Sequence, residues 1–103
     1  MTLEEVKKIL KTTGLPVIYR AWPVNGAPSP PFICYLVKYS NNLFADGGVY
    51  HKVDYVQVEL YTKLKDLVSE GKVESALSSF HWEKTEEYID TEKCYEIIYE
   101  IEV

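Results

Sequence analysis

The sequence predicts an α+β fold, an antiparallel β-sheet of four to five strands packed against two helices in two layers, built as one domain over residues 1–103. Three observations carry that expectation. The elements read in the order helix, three strands, helix, two strands, and short connections between sequence neighbours favour antiparallel pairing. At the end of the chain Tyr95, Ile97, Tyr99, Ile101 and Val103 alternate with Cys94, Glu96, Ile98, Glu100 and Glu102, the period-two pattern of a strand with one dry and one wet face. Finally, 103 residues with 47% apolar and 14% aromatic side chains fill a single core. Each helix or sheet buries one face, so two layers around that core satisfy both.

The first helix is marked at both ends. Thr2 caps it with Glu5 closing a capping box, Leu3, Val6 and Leu10 share one face, and Gly14 followed by Leu15 and Pro16 stops it. Val17, Ile18 and Tyr19 form a short strand. Residues 22–31 hold four of the five prolines together with Asn25 and Gly26, which marks a loop or projecting arm. Trp22 would anchor that arm wherever it docks, because aromatic side chains dominate interface energetics. Residues 32–39 are apolar apart from Lys38, so both faces of this strand should be covered. Asn41 and Asn42 interrupt it, residues 43–45 lead into a turn at Asp46, Gly47 and Gly48, and residues 49–62 form a long strand. There Val56, Val58 and Leu60 take one face, and Tyr55, Gln57, Glu59 and Tyr61 the other.

Residues 63–80 read as a helix with two apolar stripes. Leu64, Leu67 and Val68 lie nearly opposite Val73, Ala76, Leu77 and Phe80. Either Gly71 breaks the helix, or one stripe meets the sheet and the other a partner. The second stripe is longer and leads into the final hairpin, so it is taken as the core face. Leu64, Leu67 and Val68 then become candidates for a subunit contact. In the hairpin, a turn at residues 90–93 places Tyr88 opposite Tyr95, Trp82 opposite Ile101, Glu87 opposite Glu96 and Glu83 opposite Glu100. Like charges directly opposed cost on the order of 0.2–1 kcal/mol per pair.

Charge is unevenly placed. Residues 82–103 contain eight carboxylates against Lys84 and Lys93, a local −6 within a total of −5, so the rest of the chain sums to +1. A pI near 5.0 excludes a general nucleic-acid binder, whose affinity rests on clustered Lys and Arg. No apolar run reaches the length of a membrane span, and the N-terminus lacks the pattern of a signal peptide, so no membrane partner is expected.

The sequence offers no reaction centre. Cys34 and Cys94 lack the short spacing of a zinc site and read as buried thiols. His51 and His81 have no nucleophile or metal-ligand partner, and Asp46-Gly47-Gly48 lacks the Lys and helix of a phosphate loop. The hairpin carboxylates alternate along strands instead of converging on a cation. The nine tyrosines follow the strands and have no basic neighbours of the kind a base-stacking surface needs. No catalytic, cofactor-binding or metal-binding residue is therefore expected, and the chain does not read as an enzyme.

Five blocks occur in order: Phe44-Ala45-Asp46, Tyr50-His51-Lys52-Val53, Val56-Gln57-Val58-Glu59-Leu60-Tyr61-Thr62, Phe80-His81-Trp82-Glu83-Lys84-Thr85-Glu86 and Tyr95-Glu96-Ile97-Ile98-Tyr99-Glu100-Ile101. Together they resemble the small tail-completion proteins encoded in phages and prophages of Firmicutes, which are related to tail terminators. The resemblance runs from about Tyr19 to the end of the chain. It implies a structural virion-assembly protein, made in the bacterial host cytoplasm and resident at the head-proximal end of a long non-contractile tail. There it would form a homo-oligomeric ring, commonly a hexamer, that stops tube growth and joins tail to head. The implied partners are further copies of itself, the tail tube protein, head–tail connector proteins and passing DNA held without specific binding; the family has no catalytic residues or cofactors. On that reading the arm and Trp22 dock on a neighbour or on the tube. Glu83, Glu87, Glu96, Glu100 and Glu102 line a lumen that repels phosphates. The alternative is an acidic DNA mimic that inhibits a nucleic-acid enzyme, expected to carry far more negative charge than −5, or another small protein–protein interaction module.

Overall fold

The computed structural model describes the backbone of residues 1–45 and 48–103 and the side chains outside residues 42–52. Two helices and a five-stranded sheet form an α+β fold in two layers, with element order α1 (Leu3–Lys11), β1 (Val17–Tyr19), β2 (Phe32–Ala45), β3 (Gly48–Thr62), α2 (Leu67–Ala76), β4 (Glu83–Ile89) and β5 (Cys94–Glu102). The expected turn at Asp46 and Gly47 falls outside the described residues. Among the described residues, no helix is long and apolar enough to cross a membrane.

Helix α1 follows its local signals. The Thr2 hydroxyl accepts from the Glu5 backbone N–H at 3.2 Å while the Glu5 carboxylate accepts from the Thr2 N–H at 3.2 Å, closing the capping box. Glu4 and Glu5 occupy the first turn and Lys8 and Lys11 the last, matching the helix dipole. Gly14 ends the element with φ of +79°, a left-handed backbone that favours glycine.

The sheet runs in the order β1-β2-β3-β5-β4. It is antiparallel except at one edge, where β1 pairs parallel with β2 through Val17 opposite Ile33 and Tyr19 opposite Tyr35. The reason lies in residues 22–31: too long and proline-rich for a tight hairpin, they return the chain to the starting end of β1 before β2 begins. Strand β2 does not stop at the asparagines. Asn41 pairs with Val53 and Asn42 with Lys52, because a ladder is made by backbone groups and tolerates polar side chains where no core lies beneath. Strand β5 and Val103 after it cover β3 only from Asp54 to Thr62, so among the described residues the earlier part of β3 pairs with β2 alone. This two-stranded ribbon explains the elongated shape, 51 × 28 × 22 Å.

One face of the sheet carries the core. Val6 and Leu10 of α1 and Val73 and Leu77 at α2 bury against Ile33, Tyr35, Val56, Val58, Leu60, Ile97, Tyr99 and Ile101. The hairpin adopts the expected register, with Tyr88 opposite Tyr95, Glu87 opposite Glu96 and Glu83 opposite Glu100.

Helix α2 is shorter than the 63–80 span the periodicity suggests. Asp66 caps it by accepting from the Ser69 N–H at 3.0 Å, and the segment after Ala76 closes into turns, with the Phe80 N–H donating to Leu77 O at 3.0 Å. Gly71 sits inside the helix and does not break it. A Cβ added there meets nothing within 4 Å. Gly71→Ala is therefore expected to stabilise the chain by about 0.5–1 kcal/mol, by lowering the entropy of the unfolded state, and to raise Tm by about 2–6 °C in a calorimetric scan.

One charged cluster supports this layer. Glu70 is 2% exposed yet carries its charge between Lys65 at 2.8 Å and Lys84 at 2.6 Å, ion-pair distances that lack hydrogen-bond directionality. Burial pulls its pKa up, but the two lysines outweigh that and hold it below the usual carboxylate value. Lys84 also reaches Glu74 at 2.8 Å, and Glu74 accepts from the Tyr99 hydroxyl at 2.7 Å.

Candidate functional site

Among the described residues no helix covers the second face of the sheet, and its side chains come from alternate positions of β2, β3, β5 and β4. Near its middle a polar chain is drawn together. Gln57 Nε2 donates to Glu59 Oε2 at 2.7 Å, and the Tyr61 hydroxyl lies 3.3 Å from Glu59 Oε1 and 2.9 Å from Glu96 Oε2. Tyr61 has one proton for two carboxyl groups. The shorter contact, to Glu96, takes it, and the proton that Glu59 takes up as its pKa rises is shared with Glu96. Glu59 is only 9% exposed, and burial, followed by its contact with Glu96, raises its pKa from 4.5 to about 7.

The sign of the resulting pH dependence is fixed. The folded chain holds the Glu59 proton more tightly than the unfolded chain, so the stability this adds is complete below about pH 4.5 and is lost as pH rises through about 7. The lowered carboxylates Glu5, Asp66, Glu70 and Glu74 act oppositely, losing their contribution as pH falls through their folded values. Urea melts should show stability declining between about pH 4.5 and 7, and Glu59→Gln should remove that decline and gain about 1–3 kcal/mol at the alkaline end. An unchanged alkaline slope in Glu59→Gln would mean that the carboxyl is charged throughout.

Beside this chain lies Cys34, 4% exposed, whose thiol pKa is pushed up to about 11 by burial and then by Glu59 and Glu96. Trp22 supplies part of the cover. Its ring packs edge-on against Phe32 at 5.9 Å, Phe32 stacks on Tyr61 at 5.0 Å, and the indole N–H is buried without a hydrogen-bond partner, close enough to favour the Cys34 thiolate slightly. Trp22, expected to anchor the arm if it docks on a neighbour, is half-buried here against Phe32 of its own domain, on the outer face of β2. Val24, 92% exposed, is the apolar side chain the arm presents instead.

The five hairpin carboxylates separate into two groups. Glu87 and Glu96 lie toward the turn, where exposed Asp90 and Glu92 add to the negative charge. Glu83, Glu100 and Glu102 gather at the other end, in a groove of about 510 Å³. Phe80, Val56 and Ile101 line its apolar part, and the rings of Tyr39 and Tyr55, stacked at 4.3 Å, also line it. The opposed glutamates are partly relieved from strands the local pattern does not reveal. Glu100 turns to Lys38 of β2 at 2.8 Å, and Glu96 takes the Tyr61 hydroxyl of β3.

Leu64, Leu67 and Val68 stand far from this face. They are 77%, 71% and 71% exposed; Leu67 and Val68 stand in the first turn of α2, whereas Leu64 lies before its Asp66 cap and outside the helical stripe the periodicity suggests. Val68 borders a shallow depression that includes Thr12 and Thr13 after α1 and Lys72 of α2.

The sequence pattern places Glu59 on the face of β3 opposite Val56, Val58 and Leu60 without revealing its burial; a glutamate between Gln57 and Tyr61 on one strand face was the available signal. Among the described residues, no group of three or more His, Cys, Asp or Glu side chains is placed to hold a metal ion. No family model and no curated protein matches this chain.

Proposed function

We propose that the chain is a structural protein of a phage tail, which closes the head-proximal end of the tail tube as a ring of identical subunits and joins it to the head. The observation that carries this reading is the stripe of Leu64, Leu67 and Val68. Three large apolar side chains close in sequence, Leu64 in the segment before α2 and Leu67 and Val68 in its first turn, are each more than two-thirds in water and call for a partner surface. The reading is reached through the five sequence blocks that resemble tail-completion proteins, and the charge distribution agrees with it. An acidic β4–β5 hairpin turned toward the passage repels DNA phosphates and keeps the genome moving, where a basic one would hold it. The partners are then other copies of the chain, the tail tube protein, the head–tail connector and DNA in transit without specific binding.

The test is genetic and visual. Particles made without the protein should show filled heads separate from tails of uncontrolled length, and supplying the chain in trans should restore joined particles. Normally joined particles in its absence would overturn the reading.

A further inference from the structure

We infer that one copy of the chain docks its Leu64, Leu67 and Val68 stripe into the acid-rimmed groove at the far end of a second copy. The inference deepens the ring reading and rests on it for its purpose, while the contact itself is argued from two complementary surfaces.

The first surface is a knob. Leu64, Leu67 and Val68 project at the start of α2, flanked in sequence by exposed Lys63 and along the helix by exposed Lys72, which borders the same depression as Val68. The second is the groove of about 510 Å³ between the end of β5 and the segment leading into β4. That volume lies inside the roughly 300–1,000 Å³ range of clefts that enclose a small ligand, enough for neighbouring leucine and valine side chains. The apolar surface it offers comes from Phe80 and the stacked rings of Tyr39 and Tyr55, with Val56 and Ile101 buried beneath them. Glu100 is occupied by Lys38 at 2.8 Å, which leaves Glu83 and Glu102 as the negative rim. An apolar knob between lysines thus meets an aromatic-walled groove rimmed by glutamates, and complementary rims of this kind select the partner and fix its register.

The two surfaces cannot satisfy one another within a chain. Leu64 and Leu67 follow Thr62, which pairs with Tyr95 at one end of the β3–β5 ladder, whereas the groove lies at the other end, where Tyr55 pairs with Glu102. The ten residues of α2, about 15 Å of helix, separate them. A contact between different patches on two copies is heterologous, so it repeats from copy to copy and closes into a ring when the rotation permits. The two carboxylate groups thereby take different parts: Glu83 and Glu102 face a neighbouring subunit, and Glu87 with the hairpin turn remains for the passage.

A photo-crosslinking amino acid in place of Leu67 tests the contact directly, in a mixture of nitrogen-14 and nitrogen-15 chains that marks intermolecular products. The expected products join position 67 of one copy to the groove of another, at Tyr39, Tyr55 or Phe80. In parallel, Leu67→Asp and the double variant Glu83→Lys with Glu102→Lys are examined by sedimentation and native mass spectrometry. All three positions are exposed, so circular dichroism should show native folds. Each variant alone should associate at least about tenfold more weakly than the parent. Mixed in equal amounts, they should form one-to-one dimers and nothing larger, since together they retain one intact knob and one intact groove. Crosslinks to any other surface, or variants that assemble as the parent does, overturn the docking contact and leave the ring reading standing. Groove crosslinks in open chains that never close uphold the contact and sink the ring. A parent chain that gives no intermolecular crosslink across a concentration series overturns both.

Discussion

Lys84→Met is expected to destabilise the fold by about 3 kcal/mol and to lower Tm by about 10–15 °C. The cost arises at Glu70, whose side chain is 2% exposed and holds its charge because Lys84 at 2.6 Å and Lys65 at 2.8 Å compensate it. Removing one partner of a buried ion pair leaves a charge without solvent, which costs roughly 3–5 kcal/mol. The lower end applies here because Lys65 remains and Lys84 is itself about one-third exposed. The loss extends beyond one pair, since Lys84 also holds Glu74 at 2.8 Å and lies 5.7 Å from the centre of the Tyr99 ring. Glu70→Leu on the same background should recover most of the stability, because replacing both partners leaves no buried charge. Urea melts of parent, single and double variants check this. A single variant within about 0.5 kcal/mol of the parent, the range of ordinary surface substitutions, would show that Glu70 is not carried as a buried ion.

What the sequence disclosed and what it hid divides along the distance between cause and effect. The capping box of Thr2 and Glu5, the stop at Gly14 and the alternation from Cys94 onward depend on residues within a turn or two of one another, and each appears where expected. The hairpin register followed because one face had to stay apolar, which fixes pairing to the residue. The features that escaped depend on partners brought from afar. The parallel edge at β1 reflects where residues 22–31 return the chain, and their composition says only that they form a loop. The strand phase of Glu59 says only that it lies opposite Val56, Val58 and Leu60; Tyr61 and Glu96, with Trp22 and Phe32 close by, remove it from water. Asn41 and Asn42 argued for a break by propensity, and the partner backbone of β3 overrode it. Helix α2 ended early because the turns after Ala76 bring Leu77 and Phe80 to the core without further helix. For the assembly surfaces, the stripe was visible as a periodicity. The groove was not, since its walls come from β2, β3, β5 and the segment before β4.

The largest effect on function is expected from reversing charge at the hairpin turn. Glu87→Lys with Glu92→Lys moves the net charge of each subunit from −5 to −1, and in a ring it places two lysines per copy where carboxylates stood. Both residues are exposed and lie outside the groove that holds Glu83, Glu100 and Glu102, so folding and subunit docking should be unaffected. What changes is the interaction with DNA. Each phosphate neutralised by a lysine releases condensed counterions and contributes about −0.9 to the slope of log affinity against log salt, so a ring with several such contacts should retain duplex DNA at about 50 mM salt and release it near 200 mM. The parent ring should bind at neither concentration. Glu87→Gln with Glu92→Gln separates repulsion from attraction: the neutral ring ceases to repel but gains no hold on phosphate, and particles carrying it should eject DNA at close to the native rate. Particles with the lysine pair should assemble in normal number and eject several-fold more slowly, with the delay relieved by salt because exposed charges are screened. Native ejection rates from the lysine particles at low salt would show that the acidic hairpin faces solvent and not the passage.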